Sequence, residues 1–145
     1  MRIAHSHVGI CEATGHDDGP RIEQFQAVTG NYRTPWCSSH VADCFVEAHQ
    51  PLPPRVTGKA ASWFDRPHVI YAAGQWLNSP APEGLPGDVF GFNNGGHEVH
   101  HVSLEASAWG VTATVYSLEG NYSNCVTLFM RPKRSIAVVA RHLPL

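Results

Sequence analysis

No run in this 145-residue chain is long and apolar enough to cross a bilayer, and Met1-Arg2-Ile3-Ala4-His5-Ser6-His7 contains no apolar core of a secretory leader. A membrane span and a signal peptide are therefore not expected. An excess of one charge is lacking as well. Ten Lys and Arg against twelve Asp and Glu leave a net charge of −2, which makes no electrostatic case for nucleic acid or a membrane surface. The four cysteines, at 11, 37, 44 and 125, form no CxxC pair and no zinc-finger spacing. Cys37 and Cys44 stand about two helical turns apart, too far along one helix to bond. Four reduced thiols in a reducing compartment are the expectation. There is no internal repeat and no linker that would split the chain. One domain over residues 1–145 is expected, long enough for its own core.

What is present centres on Arg33-Thr34-Pro35-Trp36-Cys37-Ser38-Ser39-His40-Val41-Ala42-Asp43-Cys44-Phe45. This reads as a loop turning into a helix. Thr34 is placed to cap it and Pro35 fits the first helical position, where its missing N–H is not needed. Val41, Phe45 and Ala48 fall on one face and pack inward. Cys37 then sits in the first turn, among backbone N–H groups without helical partners and at the positive end of the dipole. Such a place favours thiolate over thiol and can also stabilise an oxyanion. A buried structural cysteine is the plainer reading of the residue type alone; the rest of the chain argues for chemistry.

In order, short helices are expected over 3–11, 21–28 and from Cys37 to near His49, with one turn over 59–64 that buries Trp63. Pro51, Pro53 and Pro54 make a stiff connector, and residues 65–86, rich in Pro and Gly, read mostly as loop. After Pro86 the period changes to two. Strands are expected over 88–92, 101–106, 111–119, 125–130 and 135–139, with a tight turn at Asn93-Asn94-Gly95-Gly96. The fold class is α+β, with amino-terminal helices packed on one side of an antiparallel sheet of about five strands.

A cysteine nucleophile needs a base, and the base needs an orienting group. His97, His100 and His101 are the candidate bases. On a strand, His101 shares a face with Ser103 and Glu105, while His100 takes the opposite face, so only one of the adjacent pair can meet the thiol. His101 is preferred. Glu119 and Asn121, two apart at the end of the next strand, are the candidate orienters. Ten histidines also admit another reading, a metal-binding module built on His97, His100 and His101 with Cys125 or Glu98. Its spacing is not that of HExxH, and adjacent strand residues point apart, so no metal site is expected. A non-catalytic structural or tail-associated domain is the remaining alternative.

Pro35-Trp36-Cys37-Ser38-Ser39, then His101-Val102 64 residues after Cys37, then Glu119-Gly120-Asn121 18 residues after His101, resembles the CHAP family, the cysteine, histidine-dependent amidohydrolase/peptidases. Gly9-Ile10-Cys11-Glu12, Asp18-Gly19-Pro20, Ala61-Ser62-Trp63 and Gly87-Asp88-Val89-Phe90 extend the resemblance over roughly residues 4–141. The resemblance implies a papain-like fold with Cys37 as nucleophile, His101 as base, Glu119 as orienter and Asn121 in support. Trp36 and Ser38, flanking the thiol, are the expected substrate-binding residues. It implies a peptidoglycan substrate, cut as an N-acetylmuramoyl-L-alanine amidase or a peptidoglycan endopeptidase would cut it. The chain departs from the pattern at His40, where an apolar residue is usual. Asn31-Tyr32-Arg33-Thr34 lacks the carboxylates of a calcium loop, so no cofactor is expected. A compact endolysin or lytic effector follows, made in the cytoplasm and acting on the wall or periplasm after release. Such a protein would need a holin or a secretion machine as partner.

Overall fold

The computed structural model describes residues 1–77, 83–96 and 98–144. Three helices come first: α1 (Arg2–Ser6), α2 (Pro20–Val28) and α3 (Cys37–Glu47). A 3₁₀ turn (Ala60–Trp63) leads into β1 (Val69–Ala72), β2 (Gln75–Trp76), β3 (Val89–Phe92), β4 (His101–Glu105), β5 (Thr114–Tyr122), β6 (Cys125–Pro132) and β7 (Val138–Ala140). These strands form one antiparallel sheet in the order β2-β1-β7-β3-β4-β5-β6. The fold is α+β, with seven strands where about five were expected. No helix among the described residues is long and apolar enough to cross a membrane.

Helix α3 is the centre of the molecule, because every residue from Cys37 to Phe45 is buried. Val41, Ala42 and Phe45 share one core with Phe25 of α2, Trp63, and Val89, Val102, Leu104 and Leu118 of the sheet. The alternate residues of the sheet, Phe90, Phe92, Val115 and Val139, form a second core with Trp109 and Ile136. The sheet is therefore apolar on both faces around β3. Each large side chain fully removed from water here stabilises the fold by about 1.5–3 kcal/mol. His40 also lies in the α3 core, fully buried between Phe25, Trp36 and His7. Burial, with smaller contributions from His7 and Arg21, pushes its pKa down to about 3, so the ring is neutral.

The loop that delivers Cys37 is held from α2. The side-chain amide of the fully buried Gln26 donates to the carbonyls of Asp17 and Thr34, at 3.0 and 2.8 Å, and its oxygen accepts the Arg33 N–H at 3.0 Å. Thr34 thus contributes a carbonyl to the loop rather than a cap. The helix begins two residues later than expected, with Trp36 at the N-cap, no capping side chain and Cys37 as the first helical residue.

Several expectations are corrected. The first helix stops at Ser6, and Gly9 turns the chain at φ +90° into an extended run beside β6. There Gly9 N–H donates to Val126 O at 2.9 Å and Val126 N–H to Ile10 O at 2.8 Å. Cys11 pairs with Cys125 across this junction and forms a disulfide spanning 114 residues of sequence, so two thiols are free rather than four. Residues 65–86 hold a hairpin, β1–β2, turned by Ala73 and Gly74 at φ +51° and +79°. Tyr71 and Trp76 pair across that hairpin and pack toward Trp109. The residues of that stretch from 78 to 82, among them Pro80 and Pro82, lie outside the described residues. The last strand does not extend a meander. It returns between β1 and β3, where Val139 is fully buried.

Candidate active site

Cys37 and His101 come from different elements and meet in one cleft. The thiol stands at the first turn of α3, whose opening amides have no capping side chain. His101 opens β4, paired with Phe92 of β3, and its ring lies 5.7 Å from that phenyl ring. The imidazole Nε2 is 2.9 Å from Oε2 of Glu119, which leaves Nδ1 as the nitrogen for the thiol. Burial alone would push the His101 pKa down. Hydrogen bonds and charge from Cys37 and Glu119 outweigh burial and raise it to about 9. The ring is therefore held as imidazolium at neutral pH, against a carboxylate on one side and the thiol on the other.

Glu119 is fully buried on β5 and every bond it makes favours its charged form. Ser117 O–H donates to Oε1 at 2.6 Å, Arg131 Nε donates to Oε1 at 2.6 Å and Arg131 Nη2 donates to Oε2 at 2.6 Å. Burial opposes ionisation, but Arg131, His101 and Ser117 together take the pKa down to about 2. Arg131 is itself stacked on Phe92, Tyr122 and Phe129, with its guanidinium carbon 4.8–5.1 Å from their ring centres. The guanidinium holds the carboxylate, and the carboxylate holds the imidazole.

Asn121 lines the same cleft but does not bond the ring. A regular strand would put it on the face of Glu119. Here the β5–β6 register shifts after Glu119, and Asn121 takes φ +59°. Its amide donates instead to Asp17 Oδ1 at 3.2 Å. Gly120, between them, lies against α3; a Cβ added there would stand 2.5 Å from His40 Cβ. The Glu-Gly-Asn sequence thus joins a buried carboxylate, a close approach of strand to helix, and a polar residue at the cleft.

Trp36 and Ser38 were expected to touch substrate, and this is corrected. Both are fully buried. The Trp36 indole N–H donates to Glu12 Oε1 at 2.8 Å, and the ring stacks on Phe25. The Ser38 hydroxyl donates to Thr57 O at 2.5 Å and accepts from the Trp63 indole at 2.8 Å. They anchor the start of α3 to its surroundings. His100 is exposed just before β4, and His97 lies outside the described residues.

Cys37 borders two open clefts. One, of about 870 Å³, runs between Asn31, Gly58 and Lys59 on one wall and Asn94, Glu98 and His100 on the other. The second, of about 410 Å³, runs past His101, Asn121, Tyr122 and Arg131. Pro35, Cys37 and His100 border both, so the thiol lies where an extended chain could pass on either side. The larger cleft is open and mostly apolar in its lining, with Asn31, Lys59, Asn94, Glu98 and His100 as its polar groups.

Ser117 and Arg131 are hydrogen-bond partners of Glu119 in the candidate site that the residue order did not single out. Ser117 was within reach, because its two-residue spacing from Glu119 places both on one face. Arg131 was not, since its meeting with Glu119 depends on the β5–β6 register. No protein-family model matches the chain, and no curated protein matches it.

Proposed function

We propose that this protein is a cysteine amidohydrolase of the CHAP type, papain-like in topology, that cuts an amide bond in peptidoglycan. The observation that carries the reading is the aligned set of Cys37 at the start of α3, His101 on β4 and buried, ionised Glu119 on β5. In this mechanism the thiolate attacks the amide carbonyl and the first-turn amides of α3 stabilise the oxyanion. The His101 imidazolium gives its proton to the departing amine. It then takes a proton from the water that attacks the thioester, releasing the acid and restoring the thiolate. Glu119 keeps the ring oriented and charged, and Asn121 is a polar neighbour of the bound chain.

The open clefts on both sides of Cys37 suit an extended, polar substrate such as a stem peptide or its junction with the glycan. The Cys11–Cys125 disulfide suits work in an oxidising space, such as a periplasm, after synthesis in the cytoplasm and delivery by a holin or a secretion machine. That disulfide removes Cys125 from the metal module on the histidine cluster, because it has no free thiolate to offer, and leaves only the version with Glu98.

Digestion of purified peptidoglycan, with products identified by mass, tests the reading. A new amino group between two stem residues marks an endopeptidase; glycan separated from intact stem peptide marks an amidase. Cys37→Ala should retain the fold and release neither product. Release by folded Cys37→Ala protein would refute the nucleophile and the reading with it.

A further inference from the structure

A second cluster of reactive side chains lies farther along α3 from the cleft, one to two turns beyond Cys37, and the mechanism does not use it. His7 follows α1, and His40 and Cys44 stand one turn apart on α3; all three are buried. Nδ1 of His7 is 3.4 Å from Nε2 of His40, and Sγ of Cys44 is 3.7 Å and 3.6 Å from those same two nitrogens. Three lone-pair atoms therefore converge in a nearly equilateral triangle.

Protons account for only two of the three edges: Cys44 S–H can donate to His7 Nδ1 and His40 Nε2–H to Cys44 Sγ, which leaves the close nitrogen–nitrogen approach unbonded. The nitrogen–nitrogen separation is also long for an N–H hydrogen bond, which prefers about 2.9–3.0 Å. A tetrahedral zinc ion accounts for it directly. Bonds of about 2.0–2.1 Å to nitrogen and about 2.3 Å to thiolate sulfur give ligand–ligand edges of about 3.3–3.4 Å for N···N and about 3.5–3.6 Å for N···S.

Around the triangle, Nε2 of His7 is 3.3 Å from Glu47 Oε2, the kind of carboxylate partner that fixes the tautomer of a ligating histidine, and 3.1 Å from Arg21 Nη2, while Nδ1 of His40 is buried without a partner among the described residues. Arg21 bridges Asp43 and Glu47 beside the triangle. No described residue supplies a fourth ligand, so a solvent molecule would complete the tetrahedron.

We propose that His7, His40 and Cys44 form a zinc site that ties the chain after α1 to the nucleophile helix. The residue order led to the expectation of no metal site, because His7 is far from the other two ligands along the chain.

The test uses Cys37→Ala protein purified without reductant, in which the disulfide is intact and Cys44 is the only free thiol. Its readout is independent of catalysis, so failure of the hydrolase reading and failure of this one are distinguishable. Refolding with cobalt(II) should give about one ion per chain and a thiolate-to-cobalt charge-transfer band, and zinc should raise the melting temperature. The band should vanish in folded Cys37→Ala/Cys44→Ser protein. A folded Cys37→Ala chain that takes up neither cobalt nor zinc overturns the proposal, whatever the second variant does. So does a band that persists once Cys44 is replaced.

Discussion

Glu119→Gln removes one charge and changes one atom of the side chain, so it tests how the carboxylate acts. His101 stands at about 9 rather than the ordinary 6.5, and Glu119 at about 2 rather than 4.5. Each shift corresponds to about 3 kcal/mol, and because both contain the same ion pair they are not added. The signs differ. A raised histidine contributes stability that is complete below pH 6.5 and disappears as pH rises through 9. A depressed carboxylate contributes stability that is present above pH 4.5 and disappears as pH falls through 2. In Glu119→Gln the second contribution is absent. The first shrinks to what Cys37 alone sustains, so the His101 pKa should fall by about 1–2 units. The alkaline limb of kcat/KM, set by loss of the imidazolium proton, should move down with it. Turnover at neutral pH should drop at least ~10²-fold, the usual contribution of a positioned acid–base group. Arg131 would lose its buried counter-charge, which costs about 3 kcal/mol of fold stability. A pH–rate series on solubilised wall fragments and an NMR titration of the histidines measure the two effects separately. A variant that melts lower yet keeps its alkaline limb and near-native turnover would show that Glu119 only packs.

Three further outcomes are expected. Alanine at His101 should abolish turnover, while alanine at exposed His100 should cost less than about tenfold, as expected of a residue outside the proton-transfer step; the reverse order in steady-state kinetics would mean the base is misassigned. Alkylation of native and then denatured protein, followed by intact mass, should count two free thiols; replacing Cys11 and Cys125 by serine should destabilise by up to about 4–5 kcal/mol, read from denaturant midpoints, because the closed loop is long. Gly120→Ala should cost about 1–3 kcal/mol in thermal or chemical unfolding, since its Cβ would press on His40; an unchanged midpoint would mean that β5 moves off α3 freely.

The α2 and α3 helices and the strands from 89 onward were legible in residue order, as was the candidacy of Cys37 and His101, whereas Glu119 and Asn121 stayed open alternatives until the structure placed Glu119 against the ring. Local physics specifies them: Ile22 and Phe25 repeat at helical spacing, Val102 and Leu104 at strand spacing, and one residue of parity separates His101 from His100. Asn121 shows where parity fails. A left-handed residue at a register shift turned it from the ring toward Asp17, and nothing short of the β5–β6 pairing reveals that shift. Trp36 shows the other limit. Residue type is the same for an aromatic that lines a groove and one that fills a core, and the packing of Phe25 behind it made it core. The remaining features join residues far apart in sequence: Cys11 with Cys125, Arg131 with Glu119, His7 with His40 and Cys44. Patterns of three or two residues carry no information about such meetings, because they arise from how strands pair and where α3 settles on the sheet.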